Sequence, residues 1–325
     1  MPLAHEERTS NDLRLTVRVA LMYYRLHLTQ EQIGERLGVS RFKVGRLLDR
    51  AVRESIVQID IVHPVARLIG MEDALVDRFG LHAAVIVDVP EAPTDQAVQE
   101  LARESVGGAA VTYLAELRPT GSIGVSWGRT MLELARQLEP GWTTATEIVQ
   151  LNGATSRSSL PTRANEIAER FGTTTGASIR LLAAPAIVGS PELRHALEED
   201  PAVGAALAVA RATSTAVFGL GILTRESVLV GSGYLTEDDL AALQAAGAVG
   251  DVIGRFLDLD GRIASPEIDA RTVGLPLAEL GGKRISLGLA AGAGRGPITL
   301  ASLRAGCVNV LVADAATAEW VLAHG

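Results

Sequence analysis

The sequence predicts an α/β protein in two parts: an N-terminal all-α helix-turn-helix domain at residues 1–63, and a doubly wound, mostly parallel α/β domain at residues 64–325. Three observations predict this fold class. The chain has 325 residues, more than one typical domain. Residues 12–53 show helical periodicity. From residue 83 onwards, short apolar segments alternate with amphipathic ones, as expected for a parallel sheet covered by helices on both faces.

The charge is unevenly distributed along the chain. The net charge is −8, but residues 1–63 contain 10 basic and 8 acidic residues, whereas the remainder contains 20 basic and 30 acidic residues. A locally basic end on an acidic body indicates that any contact with nucleic acid would be confined to the N-terminal domain. Hydrophobic residues make up 47% and charged residues 21%, which is typical of well-packed domains.

Several classes of function are disfavoured. The single cysteine, Cys307, precedes an apolar run and is expected to be a buried, inert thiol. No metal-ligand spacing, NTPase loop or dinucleotide fingerprint occurs, so no metal and no cofactor is expected. Lys283 is a poor Schiff-base candidate. The polar N-terminus and the lack of an apolar run of about 20 residues predict a cytoplasmic protein with no membrane partner.

The first predicted helix runs from Asp12 to Leu26, capped at Asn11 or Asp12, and residues 1–10 are expected to be a frayed tail. It would support a three-helix DNA-binding domain. The residues expected on its inward face are Leu13, Val17, Ala20, Leu21 and Tyr24.

Residues 29–53 predict two short helices joined by a tight turn. Thr29 and Gln32 have the spacing of a capping box, and Gly38 permits the turn that ends the first of the two helices. Ser40 can cap the second helix. Its buried face is predicted from the helical spacing of Val44, Leu47, Leu48 and Ala51.

The free face of this second helix is basic, with five cations and the single acid Asp49. The cations are Arg41, Lys43, Arg46, Arg50 and Arg53. Together these features predict a helix-turn-helix for the DNA major groove; the alternative is a solvated amphipathic hairpin. The residues expected to contact operator DNA are Thr29, Gln30, Ser40, Arg41, Phe42, Lys43 and Arg46.

The segment IVQIDIVH predicts a half-buried strand, and Pro64 marks the domain boundary. A helix at 65–79 either leads into the second domain or pairs subunits. Strands are then expected at 83–88, 122–126, 147–151, 178–182, 216–221, 284–289 and 308–313. Helices are expected at 94–117, 131–138, 164–171, 191–212 and 236–244, with two more ending at residues 304 and 323.

The turn after the second of these strands is the strongest ligand-site candidate. The sequence GSIGVSWGRT brings a strand to Ser126 and then opens a helix near Thr130. Free N–H groups at a helix N-terminus attract anions. Gly128 allows a ligand to approach the backbone closely and Arg129 supplies a positive charge, so a phosphate is a suitable ligand. An ordinary strand-to-helix turn explains the spacing equally well.

Further polar residues are expected at strand ends or helix starts, where ligands of parallel sheets bind. They are Asn152, Gly153, Arg163, Asn165, Ser214, Asp251 and Arg295. Each of them alone is a common turn or cap residue.

An ordered series of motifs resembles the SorC-type sugar-binding transcriptional regulators of bacteria over nearly the full chain. The series consists of MYYRLHLTQEQIGERLGVSRFKVGRLLDRA from residue 22, GVSWGRTM from residue 124, QLNGA from residue 150, LLAAPAIV from residue 181, FGLGI from residue 218, GAVGD from residue 247, FLDLDG from residue 256, and NVLVAD.

The resemblance implies an effector domain related to sugar-phosphate isomerases that acts as a sensor, and homo-oligomers, commonly tetramers, on operator DNA. It also implies that the turn from Ser126 to Thr130 holds a phosphate and that Asn152, Gly153 and Asp251 contact the sugar. Gly124 belongs to the same motif. The chain differs from the family at two positions: Ser214 replaces a frequent Asp, and Arg295 lies nearest to the family's Lys.

Three functions are compatible with these residues. The first is a DNA-binding regulator controlled by a sugar, polyol or sugar phosphate. The second is a sugar-phosphate isomerase-like enzyme with an appended DNA-binding domain, for which Asp251 is the only plausible base. The third is a DNA-binding scaffold whose pocket is vestigial. No catalytic residue is assigned in the favoured first interpretation.

Overall fold

The computed structural model describes residues 3–57, 64–154 and 162–325, with the backbone alone described at 3–11 and 64–67. The chain divides into two compact units, Met1–Ala66 and Arg67–Gly325. None of the described helices is long and apolar enough to cross a membrane.

In the first unit, residues 3–57 form the helices α1 (Leu3–Ala20), α2 (Gln30–Leu37) and α3 (Arg41–Arg53), with a π-helical turn at Leu21–Arg25 after α1. The expected frayed tail at residues 1–10 is wrong from Leu3 onwards, because α1 begins there. Asn11 and Asp12 therefore lie inside the helix and do not cap it.

The predicted inward face of α1 is also largely wrong. Leu13, Val17 and Leu21 are 45%, 38% and 52% exposed, whereas the predicted Ala20 is buried and Tyr24 is half-buried. Thr16, Val19 and Met22 are also buried. The Thr16 hydroxyl donates to the carbonyl oxygen of Asp12 at 2.8 Å. This local bond satisfies the hydroxyl and allows a polar residue to occupy the buried face.

The helix-turn-helix geometry follows the predicted local signals. Thr29 and Gln32 form both bonds of a capping box at the start of α2. Gly38 ends that helix with φ +65°, a conformation that a residue with a Cβ rarely adopts. The Ser40 hydroxyl accepts from the Lys43 N–H at the start of α3. The buried side chains of α3 are the predicted Val44, Leu47, Leu48 and Ala51.

The second unit begins within α4 (Pro64–Phe79), and its described residues form a nine-stranded sheet. The predicted strand in IVQIDIVH falls mainly on residues 58–63, outside the described residues. The strands are β1 (Ala83–Val87), β2 (Thr120–Val125), β3 (Thr144–Gln150), β4 (Ser178–Arg180), β5 (Thr215–Ile222), β6 (Ala248–Val252), β7 (Arg255–Asp258), β8 (Ile285–Ala290) and β9 (Val310–Asp314).

Helices connect most of these strands. They are α5 (Asp95–Leu117), α6 (Arg129–Gln137), α7 (Ala164–Thr175), α8 (Pro191–Glu199), α9 (Pro201–Ala212), α10 (Val228–Gly231), α11 (Glu237–Ala245), α12 (Pro266–Ala270), α13 (Leu277–Gly281), α14 (Gly296–Arg304) and α15 (Ala315–His324).

Seven strands pair in parallel in the order β1-β9-β8-β5-β2-β3-β4. Both faces of this sheet are buried. Val217 of β5 belongs to a core cluster with residues of α5, α6 and α7, whereas its neighbour Phe218 belongs to a second cluster with residues of α4, α14 and α15. Successive side chains of a strand point to opposite faces, so helices cover the sheet on both sides and the doubly wound prediction is confirmed.

The strands β6 and β7 form an antiparallel hairpin beside the carboxyl end of β5. They were not predicted, because their sequence contains Gly250, Asp251 and Gly254, which are typical of turns. The hairpin brings Asp251 opposite Gly221 of β5.

The chain order creates a switch point between β2 and β5. After β2 the chain adds β3 and β4 on one side, then returns to place β5 on the other side of β2. The loops leaving β2 and β5 therefore diverge at their carboxyl ends and leave a crevice, the usual ligand site of an open parallel sheet.

Candidate functional sites

A cleft lies at this switch point, with about 610 Å³ of empty space including its mouth. It brings together eight of the predicted effector residues: Ser126, Trp127, Gly128, Arg129, Thr130, Asn152, Asp251 and Arg295. They come from the turn after β2, the end of β3, the β6–β7 hairpin and the start of α14. Residues distant in sequence therefore converge on one volume.

The N-terminus of α6 opens into the cleft. Gly128 precedes this helix with φ 136°, and no side chain caps the helix. Thr130 in its first turn is 6% exposed and also lines the cleft. First-turn N–H groups without a side-chain cap, together with the helix dipole, favour an anionic guest.

A buried hydrogen bond orients the amide of Asn152. The Ser126 hydroxyl donates to Asn152 Oδ1 at 3.0 Å, so Oδ1 has its partner. Asn152 is 1% exposed, and its Nδ2 has no partner within the described residues. A buried N–H without an acceptor is unfavourable, so a ligand oxygen placed here would complete the site.

Trp127 is held by a residue that was itself expected to contact ligand. The indole Nε1–H donates to the carbonyl oxygen of Gly153 at 3.0 Å. Gly153 does not line the cleft, and a Cβ there would lie 2.3 Å from the carbonyl oxygen of Pro185. Gly153 therefore positions Trp127, whose ring also lies 6.4 Å from that of Tyr234.

Asp251 and Arg295 form the polar floor of the cleft. Asp251 Oδ2 accepts from the Gly254 N–H at 2.9 Å, and its Oδ1 occupies the space that a Cβ on Gly221 would need. Desolvation raises the pKa of Asp251 to about 6, against the opposing effects of the Gly254 N–H and of Arg295. The carboxyl therefore keeps its proton to a higher pH than a solvated aspartic acid does.

Arg295 is a buried cation with spare donors. Its Nη1 donates to the carbonyl oxygen of Leu220, while its Nε has no partner within the described residues. Its pKa is lowered to about 10, first by desolvation and then by the charges of Arg129 and Arg103, while Asp251 and Asp314 act in the opposite direction. An anion bound between Arg295 and these two arginines would reduce the repulsion among their charges.

Three other predicted residues lie away from the cleft. Gly124 lies inside β2, where a Cβ would be 2.3 Å from Leu151 Cδ2, so its role is close packing. Asn165 is exposed on α7 and accepts from Gln150 Nε2 at 3.3 Å. Ser214 precedes β5 and is exposed at the amino end of that strand, whereas the cleft lies at the carboxyl end. The structure thus corrects the expected placement of all three.

The remaining lining residues were missed by sequence reasoning. They are Gly219, Leu220, Gly221, Ile222, Ser227, Val228, Leu229, Ile253 and Gly254. The first four end β5, and the rule that ligands bind at carboxyl strand ends could have found them. Ser227 to Leu229 belong to α10 and its cap, for which the sequence carries no ligand signal.

The second candidate site is the exposed surface of α2 and α3. A groove there brings together Tyr23, Thr29, Gln30 and Arg41. Ser40, Arg41, Phe42, Lys43 and Arg46 are all exposed on α3. Within the described residues no ion pair involves Arg41, Lys43 or Arg46, so these cations are available to an anionic partner.

Arg50 differs from those cations. Its Nε lies 2.7 Å from Glu54 and its Nη1 lies 3.8 Å from Asp12. These acids partly neutralise the C-terminal half of the basic face, and the available charge is concentrated at the start of α3.

Lys283 and Cys307 are structural residues. The Lys283 ammonium donates to the carbonyl oxygens of Ala210, Arg211 and Thr213, around the end of α9, and desolvation lowers its pKa. Burial raises the pKa of the Cys307 thiol to about 12. In the described parts of the chain no group of three His, Cys, Asp or Glu side chains could hold a metal ion.

Comparison with known proteins identifies the family. The model of a sugar-binding domain matches residues 63–323. The chain is 31% identical to the deoxyribonucleoside regulator of Bacillus subtilis over 307 residues, which is 94% of this chain and 96% of that protein. It is 29% identical to the transcriptional regulator LsrR of Enterobacter sp. over 95% of this chain and 93% of that protein.

The full-length sorbitol operon regulator SorC of Klebsiella pneumoniae has a similar structure. The TM-score is 0.72 at 26% identity, and the match covers 96% of this chain and 99% of that one. The family match, the relatives and the shared architecture agree with one another. The chain belongs to the SorC family of sugar-binding transcriptional regulators.

Proposed function

We propose that this protein is a sequence-specific DNA-binding regulator of an operon for carbohydrate use, and that a sugar, polyol or sugar phosphate in the cleft controls it. In this proposal residues 1–63 bind operator DNA, and residues 64–325 bind the effector and form a homo-oligomer, with a tetramer as the expected state. The protein acts in the cytoplasm and needs no cofactor.

The cleft supports the effector half of the proposal. An uncapped helix N-terminus, the buried Arg295 and the exposed Arg129 supply positive potential for a phosphate or other anion. The unpartnered Nδ2 of Asn152 and the carboxyl of Asp251 suit sugar hydroxyl groups. This convergence of charge and unpartnered polar atoms is the observation that carries the proposal.

The available cations of α3 support the DNA half. Arg41, Lys43 and Arg46 would contact phosphates and base edges, with Thr29 and Gln30 approaching the backbone from the start of α2. An effector that binds one quaternary arrangement more tightly than another would change the spacing of the DNA-binding units.

We infer that the effector is bound without being transformed. An isomerase needs a positioned base, and among the described residues lining the cleft Asp251 is the only carboxylate. Its Oδ2 is occupied by the Gly254 N–H, and the relatives above are named as regulators. Turnover of pentose or hexose phosphates that is lost in Asp251→Asn would support the enzymatic alternative instead.

The DNA-binding half is tested by fluorescence anisotropy on duplexes that the full chain selects from a random pool. Affinity should fall steeply between 50 and 200 mM salt, and Arg41→Ala and Lys43→Ala should each weaken binding and reduce the salt slope by about 1. Arg53→Ala, at the other end of α3, is the control. Binding that is indifferent both to salt and to the first two variants would refute the assignment.

The effector half is tested by thermal shift with glucose 6-phosphate, ribose 5-phosphate, sorbitol and inorganic phosphate. A ligand at one hundred times its Kd should stabilise the fold by about 2.7 kcal/mol. Asn152→Asp replaces the unpartnered donor with an acceptor of the same shape and should abolish the shift. Asn165→Asp, outside the cleft, should retain it. A shift of equal size in both variants would place the ligand elsewhere.

A further inference from the structure

Phe42 is the most exposed aromatic side chain among the described residues. It is 84% exposed at the second position of α3. Three of the other phenylalanines, Phe171, Phe218 and Phe256, are at most 2% exposed, and Phe79 is half-buried. A single exposed apolar residue is common on protein surfaces, so the surroundings of Phe42 decide what it can do.

Those surroundings are cationic and polar. Arg41 precedes Phe42 and Lys43 follows it, and both are exposed at the helix start that Ser40 caps. The groove beside them is lined by Thr29 and Gln30. Phosphate contacts from such cations fix the register of a helix on DNA, and the first residues of the second helix then meet the base edges.

The phenyl ring has no hydrogen-bonding group. Base edges in the major groove present hydrogen-bond donors and acceptors, and the largest apolar group among them is the 5-methyl group of thymine. A ring carried into the groove between two phosphate-binding cations therefore finds its best apolar contact at that methyl group.

We propose that Phe42 determines sequence specificity by packing its ring against the 5-methyl group of a thymine in each operator half-site. The inference rests on the proposed DNA-binding function and names the chemical group that one residue of that surface recognises. Arg41 and Lys43 supply affinity for the backbone, and Phe42 supplies part of the discrimination between bases.

The test uses the full-length protein and the duplexes it selects from a random pool. Each thymine is replaced in turn by deoxyuridine, which removes the methyl group and leaves every hydrogen-bonding group in place. At one position per half-site the wild type should bind about fourfold more weakly, the effect of removing one buried methyl group. Phe42→Ala should bind the thymine and deoxyuridine duplexes equally.

Lys43→Ala is the matched control at the adjacent position. It should weaken binding to all duplexes and still distinguish thymine from deoxyuridine by about fourfold, because its contact is with phosphate. Phe42→Gln, which keeps an exposed side chain of intermediate length, provides a second variant without the ring and should behave as Phe42→Ala. Circular dichroism melts of both variants should match the wild type, since Phe42 is exposed.

Two results would overturn the inference alone: no position sensitive to deoxyuridine in the wild type, or a sensitive position that persists in both Phe42 variants. Either result, obtained with selective and salt-dependent binding, would leave the DNA-binding function standing and reassign Phe42 to a protein contact. Binding without any sequence selection would remove the proposed function and this inference together.

Discussion

Asp251 is the cleft residue whose ionisation is shifted most clearly toward neutral pH. Desolvation raises its pKa to about 6, so the folded chain keeps the proton at pH values where the unfolded chain has released it. The protonated carboxyl therefore contributes stability that is complete below about pH 4 and is lost as the pH rises through about 6.

Asp251→Asn should remove this pH dependence, because the amide imitates the protonated carboxyl. We expect the free energy of unfolding of the variant, relative to wild type, to rise by at most about 3 kcal/mol between pH 4 and pH 7. Urea denaturation at several pH values measures the difference, in which the other titrating groups cancel. A difference that stays constant over this range would contradict the burial described for the carboxyl.

At the residue scale, the sequence identified residues that line the cleft where a strand ends in a turn or leads into a helix. Ser126, Asn152 and Asp251 are examples. It failed for Ser214, because a residue before a strand lies at the opposite edge of the sheet. It also failed to distinguish Gly153, whose carbonyl oxygen holds Trp127, from the residues that line the cleft. A residue that holds a neighbour and a residue that lines a cleft can have the same local sequence.

At the scale of the element, the turn between α2 and α3 depends on two glycines with different roles. Gly38 supplies the positive φ, whereas Gly34 allows the second helix to approach the first. A Cβ on Gly34 would lie 2.7 Å from the carbonyl oxygen of Val39. That atom belongs to the backbone of the turn, so relieving the contact requires moving the start of α3.

Gly34→Ala should therefore destabilise the first unit by about 1–3 kcal/mol, the usual effect of overpacking. Gly45→Ala is the matched control, since its Cβ would meet only Gln30 Oε1 at 3.5 Å. In that position alanine should be neutral or stabilise α3 by up to about 1 kcal/mol. Hydrogen exchange of the α2 and α3 amides measures both effects, and equal protection in the two variants would contradict the packing.

Elements with strong local signals could be predicted, whereas those defined by distant contacts could not. The capping box at Thr29 and the cap at Ser40 correctly predicted where α2 and α3 begin. The strand β6 was missed because its pairing with β5 overrides the turn preferences of Gly250 and Asp251. The buried face of α1 was misassigned because Thr16 satisfies its own hydroxyl within the helix.

At the scale of the whole molecule, the proposed regulation joins two separate binding reactions. If an effector changes operator affinity by some factor, operator must change effector affinity by the same factor, because the two effects are linked thermodynamically. Couplings of this kind are typically about 5- to 150-fold.

We therefore expect equal ratios when operator affinity is measured with and without effector, and effector affinity with and without operator. In Arg41→Ala, operator should no longer change the affinity for effector, while the affinity for effector without operator should be retained. Calorimetry and fluorescence anisotropy on the same preparation provide the two ratios. Two ratios of one would mean that the cleft and the DNA surface are not coupled.

The buried, hydrogen-bonded ammonium of Lys283 makes selective chemical labelling of the other lysine simple. The sequence contains two lysines, and Lys283 is shielded from an acylating reagent because it is 6% exposed and its ammonium donates to three carbonyl oxygens. A mild amine-selective reagent should thus modify lysine almost solely at Lys43. Protection of that one site by an added duplex, read by mass spectrometry, would give a footprint of occupancy without any engineered tag.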